Sequence, residues 1–206
     1  MTKIKICGIT NFKDALLACR YGADAVGFVF AKSPRRISVK KAAAICSKLP
    51  PSISKVGVFV NQNAGMINNA VKKCGLDYVQ LHGDESPAFC GKIKAPVIKA
   101  FRVGDGFSLP GIKRYKVAAI LLDSFSPVLR GGTGKVFDWK VAVRAKRTGL
   151  PLILSGGLNA DNIAAAIKKV RPRMVDVSSG VESRPGRKSA AKMKKAIAIA
   201  KRGCII

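Results

Sequence analysis

Short apolar, β-branched runs recur along the chain, at Lys3–Ile9, Ala25–Phe30, Val56–Val60, Tyr78–His82, Pro96–Phe101, Ala118–Asp123, Pro151–Ser155 and Met174–Ser179. Each has the length of a strand. Between them the apolar positions change period: Ile67, Ala70, Val71 and Cys74 fall at i, i+3, i+4 and i+7, and Met193, Ile197 and Ala200 follow the same helical spacing near the end. These segments predict amphipathic helices.

Strand alternating with helix implies parallel strands joined by crossovers, and nearly continuous apolar strands imply a sheet covered by helices. Eight such units suggest an α/β fold of the closed (β/α)8 TIM barrel type; periodicity alone leaves an open doubly wound sheet as the alternative. At 206 residues the chain is at the short end for that barrel, so connections must be tight. The stretch from Val103 to Lys116 holds Gly104, Gly106, Pro110 and Gly111, which are poor in a helix interior, so helix 5 is expected to be short or absent. With no linker, low-complexity tract or repeat, residues 1–206 read as one domain.

Charge adds an oddity. Lys and Arg number 38 against 11 Asp and Glu, a net charge of +27. Acids are missing from Ala25 through Leu76 and after Glu182, so the excess covers the whole chain instead of forming a stripe. That pattern favours a solvated basic surface, and the few aromatics lie inside apolar runs, so no specific nucleic-acid partner is expected. Self-repulsion at this charge favours a monomer, with a dimer as the alternative. No apolar stretch approaches the ~20 residues that span a bilayer, and Met1 to Gly8 lacks the features of a signal peptide. No membrane association and a cytoplasmic location are the expectation. Cys7, Cys19, Cys46, Cys74, Cys90 and Cys204 form no CxxC pair and His82 is the only histidine, which argues against a disulfide framework and a metal site. No cofactor is expected.

In such a barrel the active site lies at the C-terminal ends of the strands. The polar residues there are Cys7, Arg35, His82, Asp123, Gly156-Gly157 and Ser178-Ser179-Gly180. Two adjacent glycine-rich loops with free backbone N–H groups after strands seven and eight suit a phosphate monoester. Lys5 and Lys3 share a face with Cys7, and an interior Lys5 needs a partner, for which Asp176 in strand eight is the candidate. A cation beside Cys7 would favour its thiolate; otherwise Cys7 is a small buried hydrophobe. Asp123 is either an acid or base at the mouth or a loop cap. His82 suits a hydrogen-bonding or substrate-positioning role.

The chain resembles the phosphoribosylanthranilate isomerase family from end to end. The ordered motifs are Lys5-Ile-Cys-Gly-Ile-Thr10, Gly22-Ala-Asp-Ala-Val-Gly-Phe28, Ser33-Pro-Arg-Arg-Ile37, Val56-Gly-Val-Phe-Val60, Val79-Gln-Leu-His-Gly83, Leu121-Leu-Asp123, Gly131-Gly-Thr-Gly134 with Phe137-Asp-Trp139, Leu154-Ser-Gly-Gly-Leu158 and Val175-Asp-Val-Ser-Ser-Gly-Val-Glu182. The resemblance implies a (β/α)8 fold and a step of tryptophan biosynthesis. That step is the Amadori rearrangement of N-(5-phosphoribosyl)anthranilate, the small-molecule partner, with Asp123 as general acid and Cys7 as general base. It further implies that Arg35 meets the anthranilate carboxylate, with Arg36 as the alternative because the loop before it is short. His82 would position substrate, Gly156, Gly157, Ser179 and Gly180 would hold phosphate, and Gly132, Thr133 and Gly134 would belong to a loop closing over the site. The chain departs from the family in its basicity and in Ser189, where an Asp often begins the last helix.

Two other functions stay open at this stage. One is another phosphate-binding barrel enzyme, of indole-glycerol-phosphate synthase or sugar-phosphate epimerase type, although neither the lysine–glutamate set of the first nor the paired His and Asp ligands of the second is present. The other is a nucleic-acid-binding protein on an inactive barrel. No glycine-rich candidate for a second anion site appears on the opposite half, so a single substrate is expected.

Overall fold

The computed structural model describes residues 1–104, 108–124 and 138–202. Gly132, Thr133 and Gly134 lie outside the described residues.

The first half of the barrel runs β1 (Lys3–Cys7), α1 (Phe12–Arg20), β2 (Ala25–Val29), α2 (Val39–Cys46), β3 (Ser54–Phe59), α3 (Ala64–Cys74), β4 (Tyr78–Leu81) and α4 (Pro87–Cys90). The second half runs β5 (Val97–Val103), α5 (Leu109–Ile112), β6 (Ala119–Ser124), α6 (Trp139–Ala145), β7 (Leu152–Leu154), α7 (Ile163–Val170) and β8 (Met174–Val177). A two-stranded hairpin, β9 (Glu182–Arg184) with β10 (Arg187–Lys188), precedes α8 (Ala190–Arg202). Strands β1 to β8 pair in parallel and in order, and β8 closes on β1 with Lys5 beside Asp176. The barrel is therefore closed, and α5 is the single turn expected of a stretch holding Pro110 and Gly111.

The strands are buried almost continuously, on both faces of the sheet, and the apolar residues divide into two clusters. Ala25, Val56, Ile98, Ala100, Ala119, Leu121 and Ile153 fill the barrel interior. The larger cluster, including Ile4, Ile6, Phe28, Phe59, Leu81, Ile120 and Leu122, lies between the strands and the helices. Helices begin where a polar side chain stands ready to cap: Asn11 accepts from the Asp14 N–H, Ser38 from Lys41 and Asn63 from Met66. Each satisfies a backbone donor that the helix cannot. Ser189 accepts at 3.4 Å from the Lys192 N–H at the start of α8, so the family's missing Asp leaves that helix with a cap.

The β9–β10 hairpin has no counterpart in the hydrophobic pattern. It turns at Gly186, where φ is +77°, and carries two buried charged residues, Glu182 and Lys188, in place of an apolar face. Among the described residues no helix is long and apolar enough to cross a membrane.

Candidate active site

Strand β1 sends Lys5 and Cys7 into the barrel, while Lys3, two residues earlier, is exposed. The Lys5 Nζ is fully buried, 3.1 Å from Asp176 Oδ2. Burial works against its charge. Asp176 outweighs that, aided by Cys7, and holds the ammonium above its ordinary 10.5. The partner expected from the pattern is therefore the partner observed.

Cys7 ends β1 at 7% exposure, packed so closely on β2 that a Cβ at Gly27 would sit 2.8 Å from its Sγ. Burial pushes the thiol above its ordinary 9.0; Lys5 and Lys188 pull it down, and Asp176 adds to the rise. This corrects the expectation that the cation beside Cys7 tips it toward thiolate. Loss of water around the sulfur costs the anion more than the neighbouring ammonium returns.

Asp123, at the end of β6, places Oδ2 3.3 Å from His82 Nε2, with the two side chains 27% and 20% exposed. Both are reachable from the mouth. The other ring nitrogen, Nδ1, lies 2.8 Å from Gln80 Nε2, and the Gln80 carbonyl oxygen accepts from Lys5. Sequence reasoning missed Gln80, although a polar side chain two residues before His82 in an apolar strand shares its face.

Arg35 stands over β1, and a Cβ at Gly8 would meet its Cδ at 2.6 Å and Ser178 Oγ at 3.2 Å. Its guanidinium is forked onto Glu182, Nε to Oε1 at 2.9 Å and Nη2 to Oε2 at 2.7 Å. Two of five N–H groups are used, leaving three for a ligand. Arg36 is exposed. Glu182 also accepts from Lys188 Nζ at 3.0 Å and from the Gly186 N–H, so the unforeseen hairpin supports the arginine.

Glu85 and Glu182 also bear on acid stability. Burial alone would raise both carboxyls. Bonds from Lys99 and the Asn61 N–H in one case, and from Arg35 and Lys188 in the other, hold them below the ordinary glutamate 4.5. A depressed folded value means the stabilisation is complete above the unfolded pKa and is lost as pH falls through the folded one. The urea midpoint is expected to drop as pH is lowered below 4.5, and Glu85→Gln to flatten that drop.

On the opposite wall, Gly156 and Gly157 follow β7 with φ of +91° and +64°, conformations that favour glycine. A Cβ at Gly156 would meet the Ser124 nitrogen at 2.5 Å. Gly180 packs on the Leu158 carbonyl, and Asn159 bridges Gly180, so the β7 and β8 loops form one unit. Among the described residues, the N–H groups of Gly157 and Ser179 find no protein acceptor. They remain available to an anion.

A barrel carrying this constellation matches a known family. The model for N-(5'phosphoribosyl)anthranilate (PRA) isomerase matches residues 4–198. The chain belongs to the PRA isomerase family. It is 54% identical over 207 positions to the N-(5'-phosphoribosyl)anthranilate isomerase of Citrifermentans bemidjiense, covering all of both chains. The crystal structure of the PRA isomerase of Thermotoga maritima superposes with a TM-score of 0.92 at 45% identity, covering 98% of this chain and 100% of that one. A PRA isomerase in complex with reduced 1-(o-carboxyphenylamino)-1-deoxyribulose 5-phosphate superposes with a TM-score of 0.88 at 43% identity, over the same shares. The closed parallel barrel expected from the alternation of elements is thus the fold of its PRA isomerase relatives.

Proposed function

We propose that the protein catalyses the rearrangement of N-(5-phosphoribosyl)anthranilate to 1-(2-carboxyphenylamino)-1-deoxyribulose 5-phosphate in tryptophan biosynthesis, with Asp123 as general acid and Cys7 as general base. The observation that carries this reading is the pair itself: a partly exposed carboxyl held by His82 on β6 and a thiol between two lysines on β1, in a PRA isomerase barrel.

Protonated Asp123 gives its proton to the furanose oxygen, and the C1–O bond breaks as the anthranilate nitrogen forms the Schiff base. The Cys7 thiolate then removes the C2 proton, and the electron pair moves to give the enolamine. Protonation of C1, with loss of the C2 hydroxyl proton as the C2=O bond forms, yields the ketone. An acid and a base on opposite sides of a small sugar are what these two steps require. Glycines 156, 157 and 180 with Ser179 would hold the phosphate, and the three free N–H groups of Arg35 suit a planar carboxylate.

Loss of anthranilate-type fluorescence on adding freshly made phosphoribosylanthranilate tests the reading. Turnover by the wild type, and loss of it in Cys7→Ser and Asp123→Asn, is the expected result; a folded but inactive wild type overturns it.

A further inference from the structure

We infer that Gln80 is a positioning residue that sets the tautomer of His82, and through it the direction of the hydrogen bond to Asp123. The inference deepens the proposed function in its kinetic consequence, while its structural core stands apart from it.

Gln80 is 1% exposed in the barrel interior, where an amide left without partners would be costly. Both of its ends are engaged, one with Lys5 and one with His82 Nδ1. The ammonium of Lys5, paired with Asp176 at 3.1 Å, can only donate. The amide oxygen must therefore face Lys5, which leaves the amide nitrogen, a donor only, facing Nδ1. A proton on Nδ1 would meet the amide N–H head on, so Nδ1 presents its lone pair and the ring proton sits on Nε2. Nε2 lies 3.3 Å from Asp123 Oδ2, so His82 donates to the carboxyl. Lys5 to Gln80, Gln80 to His82 and His82 to Asp123 form one row of bonds with a single sense. Asp123 Oδ2 is thereby committed as an acceptor, leaving Oδ1 to carry the proton that acid catalysis delivers.

The strand end around His82 is held independently. Its N–H donates to the Phe59 carbonyl at 2.8 Å. Lys99 Nζ donates to the Gly83 carbonyl at 2.7 Å and to Glu85 at 2.9 Å. Glu85 in turn accepts from the N–H groups of Gly83 and Asn61. Removing the Gln80 amide should thus alter the ring's protonation pattern without releasing its backbone.

His82 is the only histidine, so protein labelled with 15N-histidine reports two ring nitrogens without assignment. The wild type is expected to show a protonated Nε2 and an unprotonated Nδ1. Gln80→Leu removes the donor and is expected to shift the ring toward Nδ1–H. Gln80→Glu replaces the donor by an acceptor and should place a proton on Nδ1. In Gln80→Leu kcat is expected to fall about ten- to hundredfold with KM changed by less than about threefold, as for misdirected acid–base chemistry. A wild-type ring with the proton on Nδ1 overturns the inference even if no variant folds. So does a ring unchanged in both variants, or a shifted tautomer with kcat intact. Failure of the wild type to turn over phosphoribosylanthranilate would instead strike the proposed function and leave the tautomer result standing.

Discussion

Asp123→Asn is expected to lower kcat by about 10²–10⁴-fold, the range typical of a positioned general acid, with KM little changed. Asn is nearly isosteric, and its carbonyl oxygen can still accept the Nε2–H of His82, but it has no proton to give the furanose oxygen. Asp123 is partly exposed, so the change should leave the fold intact, and circular dichroism checks this. Cys7→Ser is expected to lose a similar factor for a different reason: a hydroxyl in that buried place has almost no anionic form with which to remove the C2 proton. Acid and base act in successive steps, so the double variant should be no worse than the poorer single one, a non-additivity that independent binding contributions would not give. Activity of Asp123→Asn within about threefold of wild type would remove it as the acid.

The barrel was legible in the alternation of apolar runs and helical periods, and the shortness of α5 in Gly104, Gly106, Pro110 and Gly111. The Lys5–Asp176 pair followed from strand periodicity and the adjacency of the first and last strands in a closed sheet. Three features were hidden for physical reasons. The hairpin at Glu182–Lys188 is held by ion pairs of Glu182 with Arg35 and with Lys188, and a charged stretch around Pro185-Gly186 carries no apolar signal. The orientation of Gln80 depends on which donor faces it across the barrel, which no spacing within β4 encodes. The direction taken by Cys7 depends on burial outweighing a neighbouring charge, a balance of magnitudes that residue types alone do not supply.

The net charge takes on a physical explanation once the acids are placed. Asp105 lies outside the described residues; every other acidic side chain has a defined partner. Asp14 accepts from the Lys188 N–H, Asp24 from the Ile4 N–H and Lys201, and Asp77 from the Lys55 N–H. Asp84 accepts from Asn61, Asp138 caps α6, and Asp161 accepts from its neighbour Lys195 at 3.5 Å. Glu85, Asp123, Asp176 and Glu182 sit in the clusters described above. Acids persist where the fold or the site uses them, and the +27 is what remains when optional surface carboxylates are absent.

The same clusters set where the fold is most vulnerable. Lys99→Met is expected to destabilise the protein by about 3–5 kcal/mol, the cost typical of breaking a buried ion pair by removing one partner. Lys99 and Glu85 are 2% and 3% exposed, so the carboxylate left behind cannot regain water. The N–H groups of Gly83 and Asn61 still hold it, but the Leu81 and Gly83 carbonyls lose their ammonium donor. For a chain of this size the loss corresponds to a fall in Tm of roughly 6–20 °C. Adding Glu85→Gln should return a large part of it, because the uncompensated charge, and not the missing contact, is the main cost. The deficit should also shrink as pH falls and Glu85 takes up a proton. A single variant within about 1 kcal/mol of wild type by urea unfolding, or a double variant no better than the single, would show that the pair does not anchor the end of β4 as its geometry requires.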